Sequence, residues 1–268
     1  MAGLAQFLLL TAMVITVTPP KDAPGGGIDD DAAAFYGEYV VSFYGLPVAS
    51  STFRSSFRDG RFAMEGTLSS AGLARIFDST TASVAVNGRF SGRNPRPDGY
   101  AVSYTSGGKD KRTALSFSGS GVSRVVNEPP LKKRDKDWVP VTAKHLASVT
   151  DPVSAVLVRA SDPDDVCGRT LSVFDGELRA DLRLGASQRV SVEIGAYNGE
   201  AVTCEARFVP VAGYRPGNKS IAWLRDHGAI TVTFAPLGKT GIYAPVHATV
   251  GTQIGTITLY ARRLEARE

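Results

Sequence analysis

The chain has 268 residues, of which 43% are hydrophobic and 21% charged, with a formal net charge of +4. This composition is typical of a globular protein with a substantial core, and it argues against a disordered chain. The 30 basic residues are interleaved with 26 acidic ones rather than gathered in one patch. We therefore expect no nucleic-acid binding, which usually requires a concentrated basic surface.

The first element is an uncharged apolar stretch from Leu4 to Val17. It is too short for a membrane-spanning helix, which needs about 20 apolar residues, and it fits the apolar core of a secretory signal. No Lys or Arg precedes it and no Ala-x-Ala site directly follows it, so we expect either a displaced start of the chain or a segment 1–18 that stays as an anchor, and a buried N-terminal helix is the alternative. Residues 19–32, rich in Pro, Gly and Asp, predict a flexible spacer, and 33–268 a single domain.

The most informative stretch runs from Tyr39 to Phe77, where two long alternating segments flank Asp59-Gly60. A period of two residues is typical of a half-buried antiparallel strand, and Asp-Gly favours a tight hairpin turn. Along the first segment, one predicted face carries Ala49, Ser51, Phe53, Ser55 and Phe57, and the other carries Ser50, Thr52, Arg54, Ser56 and Arg58. We expect Phe53, Phe57, Phe62 and Met64 to point inward, where they either fill the interior or line a ligand pocket.

The rest of the domain repeats this pattern. Further turn signals are Gly107-Gly108, Asp175-Gly176 and Asn198-Gly199. The predicted strands are 81–90, 100–104, 113–117, 122–126, 170–174, 178–184, 190–194, 202–209, 230–234, 246–249 and 256–264. A sheet this long is expected to curl to protect its edges. The sequence thus predicts an all-β fold, a curled antiparallel meander that forms a barrel or half-barrel with a few short covering helices.

Three segments break the β pattern: Ser70 to Phe77, Thr142 to Ala160, and Ser220 to Asp226. Asp151-Pro152 has the residue preferences of a helix start, and Ser220 is the expected cap of a short amphipathic helix. We expect these segments to cover the concave side of the sheet or the mouth of the barrel.

Cys167 and Cys204 are the only two cysteines. An even pair in an exported chain favours a disulfide, and neither cysteine belongs to a C-x-x-C pair or has a histidine at metal-ligand spacing. A pair of buried free thiols is the alternative.

A polar loop from Glu128 to Pro140 holds the densest basic cluster: Lys132, Lys133, Arg134 and Lys136. These side chains can meet an anionic lipid, a glycan or a protein partner, with Trp138 as an apolar anchor. The alternative is a solvated loop whose Trp138 packs back on the sheet.

No arrangement of residues demands a particular reaction. There is no G-x-S-x-G motif, and His145, Asp151 and Ser154 lie close in sequence without any reason to converge. Asp162, Asp164 and Asp165 lack the glycine and distal glutamate of a calcium loop, so an aspartate-capped turn is preferred. We therefore predict no catalytic residues, no metal and no cofactor.

Several motifs resemble family 3108 of domains of unknown function, a family of exported proteobacterial proteins. The resemblance starts with Tyr39, Val41, Gly45-Leu46-Pro47-Val48, Gly60 and Gly72-Leu73. It continues with Trp138-Val139-Pro140, Asp151 to Ala155, Cys167, Phe174-Asp175-Gly176, Tyr243 to Val246 and Gly255-Thr256-Ile257, which resemble the alphaproteobacterial branch. Ala49 departs from the pattern, where members often have glycine. The resemblance implies a periplasmic antiparallel barrel or half-barrel, broadly like lipoprotein carriers, and it brings no catalytic residues.

Three functions follow as expectations. The first is a non-enzymatic periplasmic envelope protein, peripheral to the membrane unless the leader is retained, whose curved sheet binds a lipid or acyl chain. The second is a scaffold that binds an envelope protein through the loop 131–138. The third, a hydrolase of envelope polymers, requires His145 or paired carboxylates in a cleft.

Overall fold

The computed structural model describes residues 33–72, 80–134 and 136–267. The predicted leader (1–18) and spacer (19–32) lie outside the described residues, as does most of the predicted turn at Ser70 to Phe77. The strands are β1 (Ala33–Phe43), β2 (Leu46–Arg58), β3 (Arg61–Ser70), β4 (Thr81–Ser91), β5 (Asn94–Ser106), β6 (Lys109–Ser118), β7 (Gly121–Glu128), β8 (Val158–Arg159), β9 (Thr170–Phe174), β10 (Arg179–Ile194), β11 (Tyr197–Ala212), β12 (Ile230–Pro236), β13 (Ile242–Thr252) and β14 (Gly255–Arg267). The helices are α1 (Ala143–Leu146) and α2 (Lys219–His227), with short 3-10 turns at Ser154–Val156 and Pro163–Asp165.

All these strands belong to one sheet. Its order is β7-β6-β5-β4-β3-β2-β1-β14-β13-β12-β11-β10-β9, and β8 pairs with β13. Neighbouring strands in this order are antiparallel. The pairing of β1 with β14 joins the first and last strands of the domain at the middle of the sheet. The predicted all-β antiparallel meander is therefore confirmed.

The two edges of the sheet, β7 and β9, are joined through the segment that follows α1. The amide of Val149 donates to the carbonyl oxygen of Ser120 (3.1 Å), and the amide of Thr150 donates to the carbonyl oxygen of Ser172 (2.9 Å). Near the end of β7, Asn127 donates through its side-chain amide to the carbonyl oxygen of Gly176 at 3.0 Å. These bonds satisfy backbone groups that an open sheet edge would expose, so the meander is curled into a barrel-like body with a seam.

The hairpin of β2 and β3 has the predicted alternation. Asp59 and Gly60 form its turn with φ of 48° and 76°, the left-handed region that such two-residue turns require. Ser51, Ser55 and Phe57 are buried on the inner face, whereas Arg54 and Arg58 are exposed on the outer face. The small inner serines leave room beside the phenylalanines, and this spacing shapes the interior described below.

A second apolar cluster lies among β9 to β13 and the helix α2. It includes the predicted disulfide, which is formed between Cys167 and Cys204 with a Cα–Cα distance of 5.6 Å. Helix α2 contributes Ile221 and Leu224 to this cluster. The amide groups at the start of α2 are capped by the side chain of Asn218, so the predicted cap at Ser220 is wrong by two positions.

Three further expectations differ from the structure. The predicted turn at Asn198-Gly199 is wrong, because these residues lie within β11. The turn instead falls three residues earlier, at Gly195, whose φ of 58° is in the left-handed region that glycine readily adopts. The segments 178–184 and 190–194 belong to the single strand β10, which continues through a register shift near Ser187. Between 142 and 160 only one helical turn of α-helix and one 3-10 turn form, because Val158 and Arg159 pair with β13.

Candidate functional site

An apolar cavity of about 270 Å³ lies between the inner faces of the strands around β1. Its lining comes from consecutive strands of the sheet, β3, β2, β1, β14, β13 and β12, and from the segment between Pro152 and Leu157. Its lining residues are Phe35, Gly37, Tyr39, Ser51, Phe53, Ser55, Met64, Pro152, Val153, Val156, Leu157, Val232, Leu237, Ala244, Pro245, Ala248, Val250, Ile257, Leu259 and Leu264. No charged side chain is among them, so the cavity suits an uncharged, apolar occupant.

Small residues open this space. Ser51 and Ser55 lie on the inner face of β2 at positions where larger side chains would fill the interior. Between them, Phe53 packs edge-to-face on Tyr39 with ring centroids 5.8 Å apart. Gly66 on β3 lets the Phe53 ring lie directly against the backbone, since a Cβ there would come within 2.4 Å of the ring. The cavity is thus built by alternation of small and aromatic residues along adjacent strands.

The hydroxyl group of Tyr39 is one of the few polar groups in the wall. It donates to the carbonyl oxygen of Pro245 at 3.2 Å. Burial raises the pKa of Tyr39 to about 12, because ionisation in an apolar site is unfavourable. Tyr39 is therefore neutral at physiological pH, and its hydroxyl proton is already engaged.

The four predicted inward residues separate into two pairs. Phe53 and Met64 line the cavity, whereas Phe57 and Phe62 are 7% and 3% exposed and pack in the main core cluster without lining it. Phe62 contacts Phe90 with ring centroids 5.3 Å apart. The two-residue alternation predicts that all four side chains point to the inner face of the sheet. Which of them reach the cavity depends on strand register, which the alternation does not specify.

A segment from Pro152 to Leu157 forms one side of the cavity. Asp151 starts it by accepting, through Oδ1, the amide protons of Val153 (2.9 Å) and Ser154 (2.8 Å). Leu157 ends the segment and has no exposed surface. The prediction for this segment was a helix that covers the sheet, and none of its residues was predicted to line a ligand site. The apolar Val153-Val156-Leu157 set after an Asp-Pro start was the available signal.

Two buried aspartates lie at the seam beside this segment. Burial raises the pKa of Asp151 and of Asp175 to about 6 each, despite the amide protons that their Oδ1 atoms accept. Burial together with these two carboxylates raises the pKa of Tyr100 well above its usual value. Their Oδ2 atoms have no hydrogen-bond partner within the described residues. In the sequence, Asp175 is recognisable only as a turn residue beside Gly176, and nothing there indicates that its carboxylate is buried.

The basic loop is placed outside the cavity. Lys132, Lys133 and Lys136 are exposed, while Arg134 forms an ion pair with Glu177 and lies over the ring of Trp138 at 4.4 Å. Burial raises the pKa of Glu177, an effect that Arg134 opposes. One basic residue of the predicted interaction loop is thus used within the fold, and three face solvent.

The candidates for chemistry do not converge. His145 accepts the amide proton of Thr142 at Nδ1 (3.3 Å), and none of the hydrogen bonds found among the described residues joins it to Asp151. Asp162 caps the turn at Pro163–Asp165, as predicted, by accepting the amide proton of Asp164 (2.9 Å). In the described ranges, no group of three or more His, Cys, Asp or Glu side chains is arranged to hold a metal ion.

A larger hollow of about 480 Å³ lies at β4, β5 and β6. Its side chains are mostly hydroxyl-bearing or charged, among them Thr81, Ser103, Asp110 and Arg112. The interior cavity is the better candidate site, because apolar walls with few polar groups are the usual property of a small-molecule site.

The fold and cavity define a class: barrel-like antiparallel β proteins with an apolar interior space. The family model described as "Protein of unknown function (DUF3108)" matches residues 38–262, and the chain belongs to this family. No curated protein matches the sequence. Among solved structures, the chain is similar to a β-barrel-like protein of domain of unknown function DUF1849 from Brucella abortus, with 7% identity and a TM-score of 0.47, over 88% of this chain and 99% of that one. Of the helices described, none has the length and apolar composition needed to cross a bilayer.

Proposed function

We propose that the protein is a non-enzymatic periplasmic protein of the cell envelope that holds an apolar ligand, a lipid or acyl chain, inside its sheet. The observation that carries this proposal is the cavity of about 270 Å³ with apolar walls. Ligand pockets usually measure about 300–1,000 Å³. The space therefore suits a single acyl chain better than a whole phospholipid.

The polar groups of the cavity support the same ligand class. Ser51, Ser55 and Tyr39 supply its hydroxyl groups, and that of Tyr39 already donates to Pro245. An unpaired charge buried there would lose its hydration without compensation. A carboxylate or phosphate on the ligand is therefore expected to stay outside, with only the hydrocarbon part in the cavity.

A periplasmic location is supported by two features. The disulfide between Cys167 and Cys204 belongs to an oxidising compartment, since cytosolic thiols are usually kept reduced. The uncharged stretch Leu4 to Val17 has the length of a signal core. Fractionation of cells that express the full chain tests the location.

Ligand binding is tested by titrating the purified full chain with a fluorescent fatty acid, such as parinaric acid, and displacing it with palmitate. We expect saturable fluorescence that palmitate reverses. Ser51→Leu places a larger side chain in the cavity and should weaken uptake at least about tenfold. Ser50→Leu is the matched control, because Ser50 is exposed on the opposite face of the same strand.

Two results contradict the proposal. One is the absence of saturable uptake by a protein whose circular dichroism and thermal transition show that it is folded. The other is equal uptake by the Ser51→Leu and Ser50→Leu variants, which would place the probe outside the cavity.

A protein partner at the basic loop is the second candidate. It is favoured by the exposed Lys132, Lys133 and Lys136 beside Trp138, which is half-buried under Arg134. Replacing Lys132, Lys133, Arg134 and Trp138 together should then remove partners recovered by crosslinking in intact cells. Unchanged crosslinked partners would remove this candidate.

A further inference from the structure

The barrel has two chemically different ends. Because neighbouring strands are antiparallel, their turns alternate between the ends. We call the first the Tyr44 end. It carries the turns at Tyr44-Gly45, Gly107-Gly108, Gly176 and Gln253-Ile254, the loop 129–138 and helix α2. The opposite, Asp59 end carries the turns at Asp59-Gly60, Gly92-Arg93, Gly119-Ser120, Gly195-Ala196 and 237–241.

Large apolar side chains are exposed at the Tyr44 end. Tyr44, Leu46 and Ile254 are 71%, 61% and 72% exposed, and Leu131 is 43% exposed. Leaving such side chains in water is unfavourable, and a group of them at one place marks an interaction surface. The Asp59 end has no comparable group among the described residues.

The two turns that carry Tyr44, Leu46 and Ile254 are adjacent, whereas Leu131 lies in the separate loop after β7. The amide of Tyr44 donates to the carbonyl oxygen of Thr256 at 3.5 Å. The Tyr44 ring lies against Gly255, where a Cβ would come within 2.5 Å of it, and its centroid is 4.6 Å from that of Phe43. The hairpins β1–β2 and β13–β14 thus hold one continuous apolar tip, which we call the hairpin tip.

The cavity wall becomes more accessible toward the hairpin tip. Ile257 and Val250 line the cavity near this end and are half-buried. Ile257 pairs with Phe43, the last residue before the exposed turn. At the other end of the cavity, Phe35 and Leu157 are 7% and 0% exposed. The cavity wall is therefore more exposed near the hairpin tip than at its other end.

Unpaired positive charge is found at the same end. Its exposed lysines, which make no ion pair within the described residues, are Lys109, Lys132, Lys133, Lys136 and Lys219. The exposed Asp110 and Asp137 offset part of their charge. At the Asp59 end, Arg93 is paired with Asp165 (2.6 Å), whereas the exposed Arg61 and Lys239 make no ion pair within the described residues.

We infer that the Tyr44 end docks on an anionic lipid bilayer, with the hairpin tip entering the interface and the lysines facing the lipid headgroups. Exposed apolar and aromatic side chains combined with basic residues are the features that bind anionic membrane surfaces. The inference rests on the proposed function, because docking there would bring bilayer lipid to the more exposed end of the cavity wall.

The depth of the hairpin tip in the bilayer is measured with a fluorophore. The purified full chain carries Ile254→Cys labelled with an environment-sensitive dye, and Lys239→Cys, exposed at the Asp59 end, is the matched control. We expect a blue shift at position 254 with phosphatidylcholine vesicles that contain phosphatidylglycerol, and none at position 239. Equal shifts at both positions, or no shift at 254, would overturn the proposal.

The charge requirement is measured by vesicle sedimentation. Lys132→Gln/Lys133→Gln should weaken partition to anionic vesicles by about thirtyfold, since each basic residue near an anionic surface contributes about 1 kcal/mol. Arg61→Gln/Lys239→Gln removes two charges at the other end and should leave partition unchanged. Equal losses in both double variants would show that net charge alone is responsible, against the proposed orientation.

Fatty-acid uptake in vesicle-free solution separates this proposal from the proposed function. Tyr44→Ser/Leu46→Ser/Ile254→Ser should lose vesicle binding and keep uptake of the fluorescent fatty acid. If position 254 enters the bilayer but the full chain takes up no fatty acid, the docking surface stands and the cavity function fails. If the full chain takes up the fatty acid but the dye at position 254 shows no shift, the cavity function stands and the docking surface fails.

Discussion

The amide group of Phe174 donates a hydrogen bond of 2.9 Å to the carbonyl oxygen of Thr150. The residue that follows each of these two is a buried aspartate, Asp175 after Phe174 and Asp151 after Thr150. Each carboxylate accepts two backbone amide protons at Oδ1 and has no partner at Oδ2 within the described residues. The seam of the barrel therefore holds two similar, incompletely compensated charges.

These charges predict an unusual dependence of stability on pH. Burial raises both pKa values from 3.8 to about 6 in the folded state, so the folded protein binds more protons than the unfolded chain between these values. The free energy of unfolding then increases as the pH falls from about 7.5 to about 5. Each group contributes about 1.4 kcal/mol between these two pH values, because the lower pH is about one unit below the raised pKa values and one unit corresponds to about 1.4 kcal/mol. Urea denaturation at the two pH values measures the increase.

Asn variants provide the control for this prediction. Asp175→Asn keeps an oxygen that accepts the two amide protons and removes the titrating group, so the increase should shrink by about half. Asp59→Asn, at an exposed turn, should keep the full increase. An unchanged pH dependence in both Asp175→Asn and Asp151→Asn would show that other groups are responsible.

Loss of the disulfide should lower stability without changing the fold. Cys167 and Cys204 are 37 residues apart in sequence, and closing a loop of that length restricts the unfolded chain by about 3–4 kcal/mol in the chain-entropy model. The variant Cys167→Ala/Cys204→Ala keeps both positions apolar, and its thermal midpoint is compared with that of the oxidised protein. Reduction with dithiothreitol should lower the wild-type midpoint and leave that of the variant unchanged.

Gly213 is expected to be intolerant of any side chain. Its φ is +81°, and a Cβ there would lie 1.8 Å from the carbonyl oxygen of Glu177. Gly213→Ala should therefore destabilise the protein by several kcal/mol, because backbone atoms have to move. Gly217→Ala, where a Cβ meets nothing within 4 Å, is the matched control and should stay within about 0.5 kcal/mol of wild type. Similar thermal midpoints of the two variants would contradict this reason.

Leu157→Ala should enlarge the cavity and lower stability together. Leu157 has no exposed surface and forms part of the cavity wall, so its truncation should cost about 2–5 kcal/mol. Leu131→Ala removes an exposed leucine and should change the free energy of unfolding little. Urea denaturation measures both. A cost below about 1 kcal/mol for Leu157→Ala would mean that the wall collapses into the cavity.

The amino-acid pattern predicted the β fold because each strand carries its own two-residue alternation. The hairpin around Asp59-Gly60 and the direction of Phe53 both follow from local rules of backbone geometry and burial. The disulfide was predictable because the chain has only two cysteines. The positions in the fold that bring the two side chains together were not predictable from the sequence. The prediction of a turn at Asn198-Gly199 was wrong because Gly195 also meets the requirement for positive φ. Local residue preference does not choose between these two positions.

Only the tertiary structure decided which residues meet. In the sequence, Asp151 marks a helix start and Asp175 a turn, and closure of the seam brings both close enough to Tyr100 to raise its pKa. Tyr44, Leu46 and Ile254 appear as ordinary turn residues, and the pairing of β1 with β14 makes them one surface. The sequence by itself determined the strands and their faces, because those depend on near neighbours. The cavity and the two ends of the barrel depend on contacts between residues far apart in the chain, which local periodicity does not specify.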